Sequence, residues 1–486
     1  MFDLTSFLLP LTVFWTYYQL TSENMETGTE ELVSQLKNVL LDLAANPYPE
    51  VACPPNVPRR ASVAVILRVQ PNYAHWPAVH AKPFNSRGHA QRRRSSVASN
   101  SGHKLSFKDI IDAFFEQDWV RHGDPEILFI KRATRIGDKW NGHVALPGGK
   151  RDPEDDDDQV TAMREAMEEV GIDLSFSHAI AVGNLPQRVV TTSWGKVPLM
   201  VLCPYVYLLT SSEYPAQRLQ PTEVASTHWV PLRALMSPAL RTYEYADVSN
   251  RLAKSELGIK RWFLQAMLSK MMFAAIHLVP AESTYCASIS GFVPEGSSPN
   301  SSPLGKLKEL FVGPESTEST RRPPLLLWGL TLGVISDLLE HIPPHNALEL
   351  WTYPTFTNWD VRFTMWAMSY RFRKQKALEM SSSTQSNITG IVEDVVDATE
   401  VPKQDLPSSQ SEEAEEPGEV GIAGLGVGRN WGKKGRESMI ARGAAVNSML
   451  EGYYPIVRKA VATALVGRIA VVSLLVVFAW NKYKRT

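Results

Sequence analysis

Cysteine is almost missing from this chain. Cys53, Cys203 and Cys286 are spread over 486 residues, and none belongs to a Cys-x-x-Cys pair. A disulfide framework and a thiolate zinc site are thereby excluded as organising devices, and reduced thiols in an intracellular compartment are the simplest expectation. An excess of one charge is missing too: 50 basic against 51 acidic side chains leave a net charge of −1. No global field favours nucleic acid, and none is expected as a partner. No internal repeat is present, which excludes a solenoid or propeller. The string Gly424-Leu425-Gly426-Val427-Gly428 follows no strand and opens no βαβ unit, so it is not a dinucleotide loop. What remains, 44% apolar and 21% charged residues, suffices for one large domain with extensions.

Long apolar runs are also few. Residues 4–20 are apolar and aromatic but are broken by Pro10, and Asp3 stands where a signal peptide would be positive. A packed or interfacial segment is as consistent with them as a span. Residues 461–480 are long enough, at about 30 Å, to cross a bilayer. They hold one charge, Arg468, and end in Trp480 followed by Lys482, Lys484 and Arg485. An aromatic residue with a basic cap marks a membrane interface, and an arginine near a helix end can snorkel. The expectation is a tail anchor inserted after translation, with the catalytic region facing the cytosol. The mitochondrial outer membrane, peroxisome and endoplasmic reticulum are equally compatible. A buried core helix is the competing reading.

Between these ends, composition suggests an N-terminal extension over 1–59, with a helix at 30–45 stopped by Asn46-Pro47. A domain spans 60–345, with strands expected at 62–69, 126–133, 180–182, 189–192 and 199–209. Two insertions interrupt it. Residues 70–105 are rich in Pro, Ser and Arg and read as a solvated loop, and 235–322 end in a Gly/Ser/Pro-rich stretch. Residues 326–341 have amphipathic helical spacing before Pro343-Pro344. Residues 346–380 extend the domain. Residues 381–435 are Ser-, Glu- and Gly-rich, expected as a disordered linker that lets the domain range over a membrane surface. A helical region follows over 436–486.

Residues 147–172 carry most of the chemical information. The turn Pro147-Gly148-Gly149 leads through an acidic stretch into a helix expected over 160–170, bearing Glu165, Glu168 and Glu169. Spacing of i, i+3 and i+4 sets three carboxylates on one helical side, where they repel unless a cation compensates. Clustered carboxylate oxygens suit Mg²⁺ or Mn²⁺. Gly171 is placed to stop the helix in left-handed geometry. A solvated acidic surface is the ordinary alternative, and the upstream glycines with Arg164 weigh against it.

These residues resemble the Nudix hydrolase box, G-x5-E-x7-R-E-U-x-E-E-x-G-U with U aliphatic. Arg164, Glu165, Ala166, Glu168, Glu169, Gly171 and Ile172 match its second half. In the first half, counting from Gly149 reaches Asp155 where the box has Glu, and counting back from Arg164 reaches Asp156. This one-residue expansion, with Gly-Gly-Lys-Arg-Asp-Pro, resembles the coenzyme A diphosphatase branch. So do Trp328-Gly329-Leu330-Thr331, and Glu223-Val224 followed by Trp229-Val230-Pro231. Two departures are the order Asn141-Gly142-His143, and Leu146 where the branch has Phe.

The resemblance implies an α/β/α sandwich with a mixed central sheet. It implies metal-dependent cleavage of a pyrophosphate bond in a nucleotide derivative. Coenzyme A or acyl-CoA is the leading substrate, giving 3′,5′-ADP and (acyl-)4′-phosphopantetheine. NADH- or ADP-ribose-like dinucleotides, and a non-catalytic membrane scaffold, are the alternatives. By position in the box, Glu165, Glu168 and Glu169 form the metal-binding set, with Asp155 or Asp156 standing in for the upstream carboxylate. Arg164 resembles the residue that orients a catalytic glutamate, and Glu223 is the candidate base from beyond the box. Gly148 and Gly149 permit the turn at the substrate. Lys150 and Arg151 either bind substrate phosphates or balance residues 152–158.

Overall fold

The apolar run Arg60–Gln70 forms β1, whose side chains are buried on both faces, as a strand covered on two sides requires. The computed structural model describes residues 28–55, 57, 59–77, 106–134, 142–175, 178–192, 197–246, 270–289, 325–343, 345, 352–393 and 452–484. β1 pairs antiparallel with β2 (Asp124–Arg132) and parallel with β7 (Val197–Leu209). The sheet is completed by β3 (Val144–Ala145), β4 (Gly148–Lys150), β5 (Ala179–Asn184), β6 (Arg188–Thr192), β8 (Val224–Pro231) and β11 (Glu282–Tyr285). Its main path runs β11-β8-β2-β1-β7-β5.

The helices are α1 (residues 28–45), α2 (Phe107–Phe115), α3 (Asp118–Arg121), α4 (Asp158–Val170), α5 (Leu232–Met236), α6 (Gly329–Glu340), α7 (Trp359–Glu393) and α8 (Tyr453–Tyr483). Strand alternation sorts them into layers. Ala64, Ile66, Leu128 and Ile130 face one side and bury Ala162, Ala166 and Val170 of α4. Val65, Leu67, Ile127 and Phe129 face the other and bury Leu36 and Leu40 of α1, Phe114 of α2, and Ile335 and Leu338 of α6. The result is an α/β/α sandwich around a mixed sheet. A second, four-stranded sheet runs β12 (Leu326–Trp328)-β10 (Met271–His277)-β13 (Thr355–Phe356), with β9 (Arg241–Ala246) on β10.

Several boundaries differ from the sequence-based expectation. Residues 235–322 supply β9, β10 and β11, so this stretch builds both sheets. The helix expected from Leu326 begins at Gly329, because Leu326, Leu327 and Trp328 pair with β10 instead. The box helix starts at Asp158, where the Asp157 side chain accepts from the Val160 amide at 2.7 Å. α7 continues through residues 381–393, assigned by composition to the linker.

The C-terminal helix is not a free tether. Its first turns bury Tyr453, Val457, Ala460, Val461 and Ala464 against Met271, Phe273, Phe356, Val361 and Met365. Arg468 pairs with Asp360 at the start of α7, and the Thr364 hydroxyl donates to the Ala460 carbonyl at 3.3 Å. Beyond that point the apolar side chains of residues 466–480 are exposed, from Val466 to Trp480. The helix expected to cross a bilayer is thus divided between a domain core and open surface. The apolar segment at 4–20, most of the first insertion and residues 394–451 lie outside the described residues.

Candidate active site

Short strand β4 brings the glycine turn over the start of β1, with Gly149 opposite Ser62 and Gly148 opposite Val63. Gly148 is required sterically. Gly148 adopts φ 154°, and a side chain there would collide with the Ser62 carbonyl and Val63 backbone. A Cβ on Gly149 would overlap the Glu165 carboxylate, so that carboxylate lies directly on the glycine backbone. The Gly148 amide donates to Glu169 Oε2 at 2.9 Å. α4 ends at Gly171 with φ 74°, the expected left-handed stop.

The three box glutamates do not share one environment. Glu169 is 2% exposed, while Glu168 is exposed and its carboxylate accepts from Arg164 Nη1 at 2.9 Å. Burial pushes Glu169 up to about 8; the Gly148 amide opposes this, and the charges of Glu165 and Glu223 reinforce it. Glu165 is also raised, first by burial, with Arg164 opposing. Glu165 and Glu169, both raised by burial, would be held ionised by a divalent cation, and an oxygen-only set suits Mg²⁺ or Mn²⁺.

Arg164 holds the acidic groups in register. Its Nε donates to Asp155 Oδ1 at 3.0 Å, and its Nη2 donates to Glu165 Oε1 and to the Lys150 carbonyl, each at 3.0 Å. Asp155 is buried and also accepts from the Asp152 amide and the Thr161 hydroxyl, each at 3.0 Å. The Arg164 guanidinium lowers the Asp155 carboxyl to about 2. Asp155 thus stands at Arg164, whereas Asp156 is exposed and offers its carbonyl to Arg151 Nη2 at 2.6 Å. The Arg151 guanidinium also pairs with Asp158 at 3.4 Å, so it serves the acidic loop; the Lys150 side chain is exposed.

Glu223 is brought to the cluster by the turn entering β8. Its carbonyl accepts from the Ala133 amide at 2.8 Å, and its charge reaches both Glu165 and Glu169. Sequence reasoning missed Arg132, at the end of β2, whose charge favours ionised Glu169. It also missed that the His143 ring lies 5.0 Å from that of Trp328. Only the sheet register could reveal either, since both depend on partners distant in sequence.

A family model, the NUDIX domain, matches residues 119–252. The uncharacterised Nudix hydrolase NudL of Photorhabdus laumondii is 31% identical over 153 residues, covering 32% of this chain and 74% of that one. The chain belongs to the Nudix hydrolase family. This Nudix hydrolase is also 33% identical over 294 residues to an uncharacterised Schizosaccharomyces pombe protein, covering 58% of this chain and 78% of the relative. The mouse peroxisomal coenzyme A diphosphatase NUDT7 is 38% identical over 85 residues, which are 17% of this chain and 34% of that enzyme. The match therefore spans about a third of the diphosphatase's length.

Proposed function

We propose that this Nudix hydrolase cleaves the pyrophosphate bond of coenzyme A or an acyl-CoA, giving 3′,5′-ADP and (acyl-)4′-phosphopantetheine. The observation that carries the reading is the placement of Glu165 and Glu169 against the Gly148-Gly149 turn, with the charge of Glu223 felt at both. Glu165, Glu168 and Glu169 would hold Mg²⁺ or Mn²⁺, which supplies charge neutralisation at the phosphates and acidifies a water. Arg164 orients the glutamates through its bonds to Glu165 and Glu168, with Asp155 fixing the guanidinium from behind. Glu223 is the base, approaching from the β8 side. The partial likeness to a coenzyme A diphosphatase supports the substrate.

The departures from the coenzyme A branch at Asn141-Gly142-His143 and Leu146 leave one second reading, an NADH- or ADP-ribose-like dinucleotide. The test is incubation of the full chain with Mg²⁺ or Mn²⁺ and each of coenzyme A, NADH and ADP-ribose, with products identified by mass. Fastest release of 3′,5′-ADP from coenzyme A is expected. Preference for either dinucleotide would transfer the assignment to the second reading.

The same proposal sets the enzyme on a membrane through α8. Its exposed stretch, residues 466–480, covers about 22 Å, less than the ~30 Å hydrocarbon core. Beside it, α7 exposes Trp359, Phe363, Trp366 and Tyr370 at helical spacing on the side away from the core. Such aromatics belong at the headgroup boundary. Together they support an anchor that also fixes the orientation of the domain on the organelle surface.

A further inference from the structure

Outside the box, the described residues bring together a cluster of quite different chemistry. β1 and β2 are antiparallel neighbours, with Gln70 opposite Asp124. The turn leaving β1, Tyr73–His75, therefore lies beside α3, which leads into β2. His75 Nδ1 is 2.9 Å from Asp118 Oδ2, and His122 Nδ1 is 3.4 Å from Asp118 Oδ1. The two imidazoles stack at 3.8 Å with planes 8° apart. Glu30, in the first turn of α1, places Oε1 3.1 Å from His122 Nε2. Asp118 thus meets the Nδ1 side of both imidazoles, while Glu30 reaches His122 from its opposite, Nε2 side.

Hydrogen bonding alone serves this arrangement badly. A neutral imidazole has one N–H to donate. His122 turns both ring nitrogens to oxygens: Nδ1 to the Asp118 carbonyl at 3.0 Å and carboxylate, Nε2 to Glu30. Satisfying both sides with protons would place a cationic ring face to face with its neighbour. A metal ion satisfies carboxylates and imidazole nitrogens together. Tetrahedral ligation at ~2.1 Å sets donor atoms about 3.4 Å apart. The donor atoms of His75, Asp118 and His122 all lie within 4.8 Å of one another, so small side-chain rotations close the set.

We propose that His75, Asp118 and His122 bind one divalent transition-metal ion, with Zn²⁺ as representative, while Glu30 accepts from His122 Nε2 and fixes the orientation of that ring. Two imidazoles with one carboxylate match a borderline-soft ion and disfavour Mg²⁺ or Ca²⁺. The site is therefore chemically distinct from the oxygen-only box. The ion ties the turn leaving β1 to α3, and Glu30 links α1, which covers the core through Leu36 and Leu40, to the site through the His122 ring. Binding only the folded chain, it raises stability with metal concentration.

The test uses the full chain in detergent with saturating Mg²⁺ to occupy the box. Zn²⁺ is added, the protein is desalted and retained zinc is measured by mass spectrometry beside the unfolding temperature. The parent should retain one equivalent more than the H75A/H122A variant, and only the parent should unfold at higher temperature with Zn²⁺. Mg²⁺-dependent hydrolysis should be unchanged in the variant. Glu30→Gln, at the exposed edge, is the milder probe and should weaken zinc retention at least tenfold with the fold intact. Equal zinc in parent and double variant, or no response in Glu30→Gln and the double variant alike, would overturn the assignment.

Discussion

Glu169 is the residue where burial and chemistry conflict most. Its folded carboxyl is raised from the ordinary 4.5 to about 8. The protonated form is thus favoured by the metal-free fold. The penalty for ionisation is absent below about pH 4.5, grows as pH rises, and is complete above about 8. At 1.36 kcal/mol per pKa unit the full penalty is on the order of 5 kcal/mol. Glu169→Gln keeps an oxygen for the Gly148 amide and removes the charge. In chelator, this variant should therefore unfold at a higher temperature than the parent at pH 8, with the difference vanishing near pH 5. Thermal scans across that range check it; a gain that does not change with pH would mean the carboxylate is not the source.

At the scale of elements, α6 is held to the sheet by a fully buried pair, Arg188 of β6 with Asp337. Burial pulls the Arg188 guanidinium down to about 10. Breaking one side of such a pair leaves an uncompensated buried charge, which costs roughly 3–5 kcal/mol. Asp337→Ala should lower stability by about that amount in denaturant titration, whereas a surface change such as Glu213→Ala should be nearly silent. The pair also shows what sequence can and cannot carry. The strands 62–69 and 126–133 and the box helix were legible because their apolar periodicity is local. Strands β9 to β11 were not, because each is defined by a partner far along the chain: β11 pairs with β8, and β9 with β10. Counting could not choose between Asp155 and Asp156, since only burial distinguishes the carboxylate that meets Arg164 from the one that faces water. In α8 the apolar residues run all round the helix, so nothing in the pattern separated the turns that meet α7 from those left exposed.

For the whole molecule, that division in α8 has a mechanical consequence. A helix with its first turns seated in the core cannot swing freely, so the domain would sit on a membrane in one orientation. A chain ending at Leu465 keeps Tyr453, Val457 and Ala464 in the core and removes the exposed apolar stretch. It should remain folded and move from the membrane pellet to the soluble fraction after carbonate extraction. Equal distribution of the full and shortened chains would contradict the anchor. The central claim, however, is that the box carboxylates drive hydrolysis of a pyrophosphate bond. It is tested most directly by comparing the full chain with its Glu168→Gln variant on the best nucleotide substrate in Mg²⁺ or Mn²⁺. Loss of one metal-binding charge should cost several kcal/mol in the transition state, roughly a hundredfold or more in rate. The account predicts less than about a tenth of parental turnover with an unchanged unfolding temperature or a higher one. A folded Glu168→Gln chain that releases both phosphate-bearing products at the parental rate would contradict it.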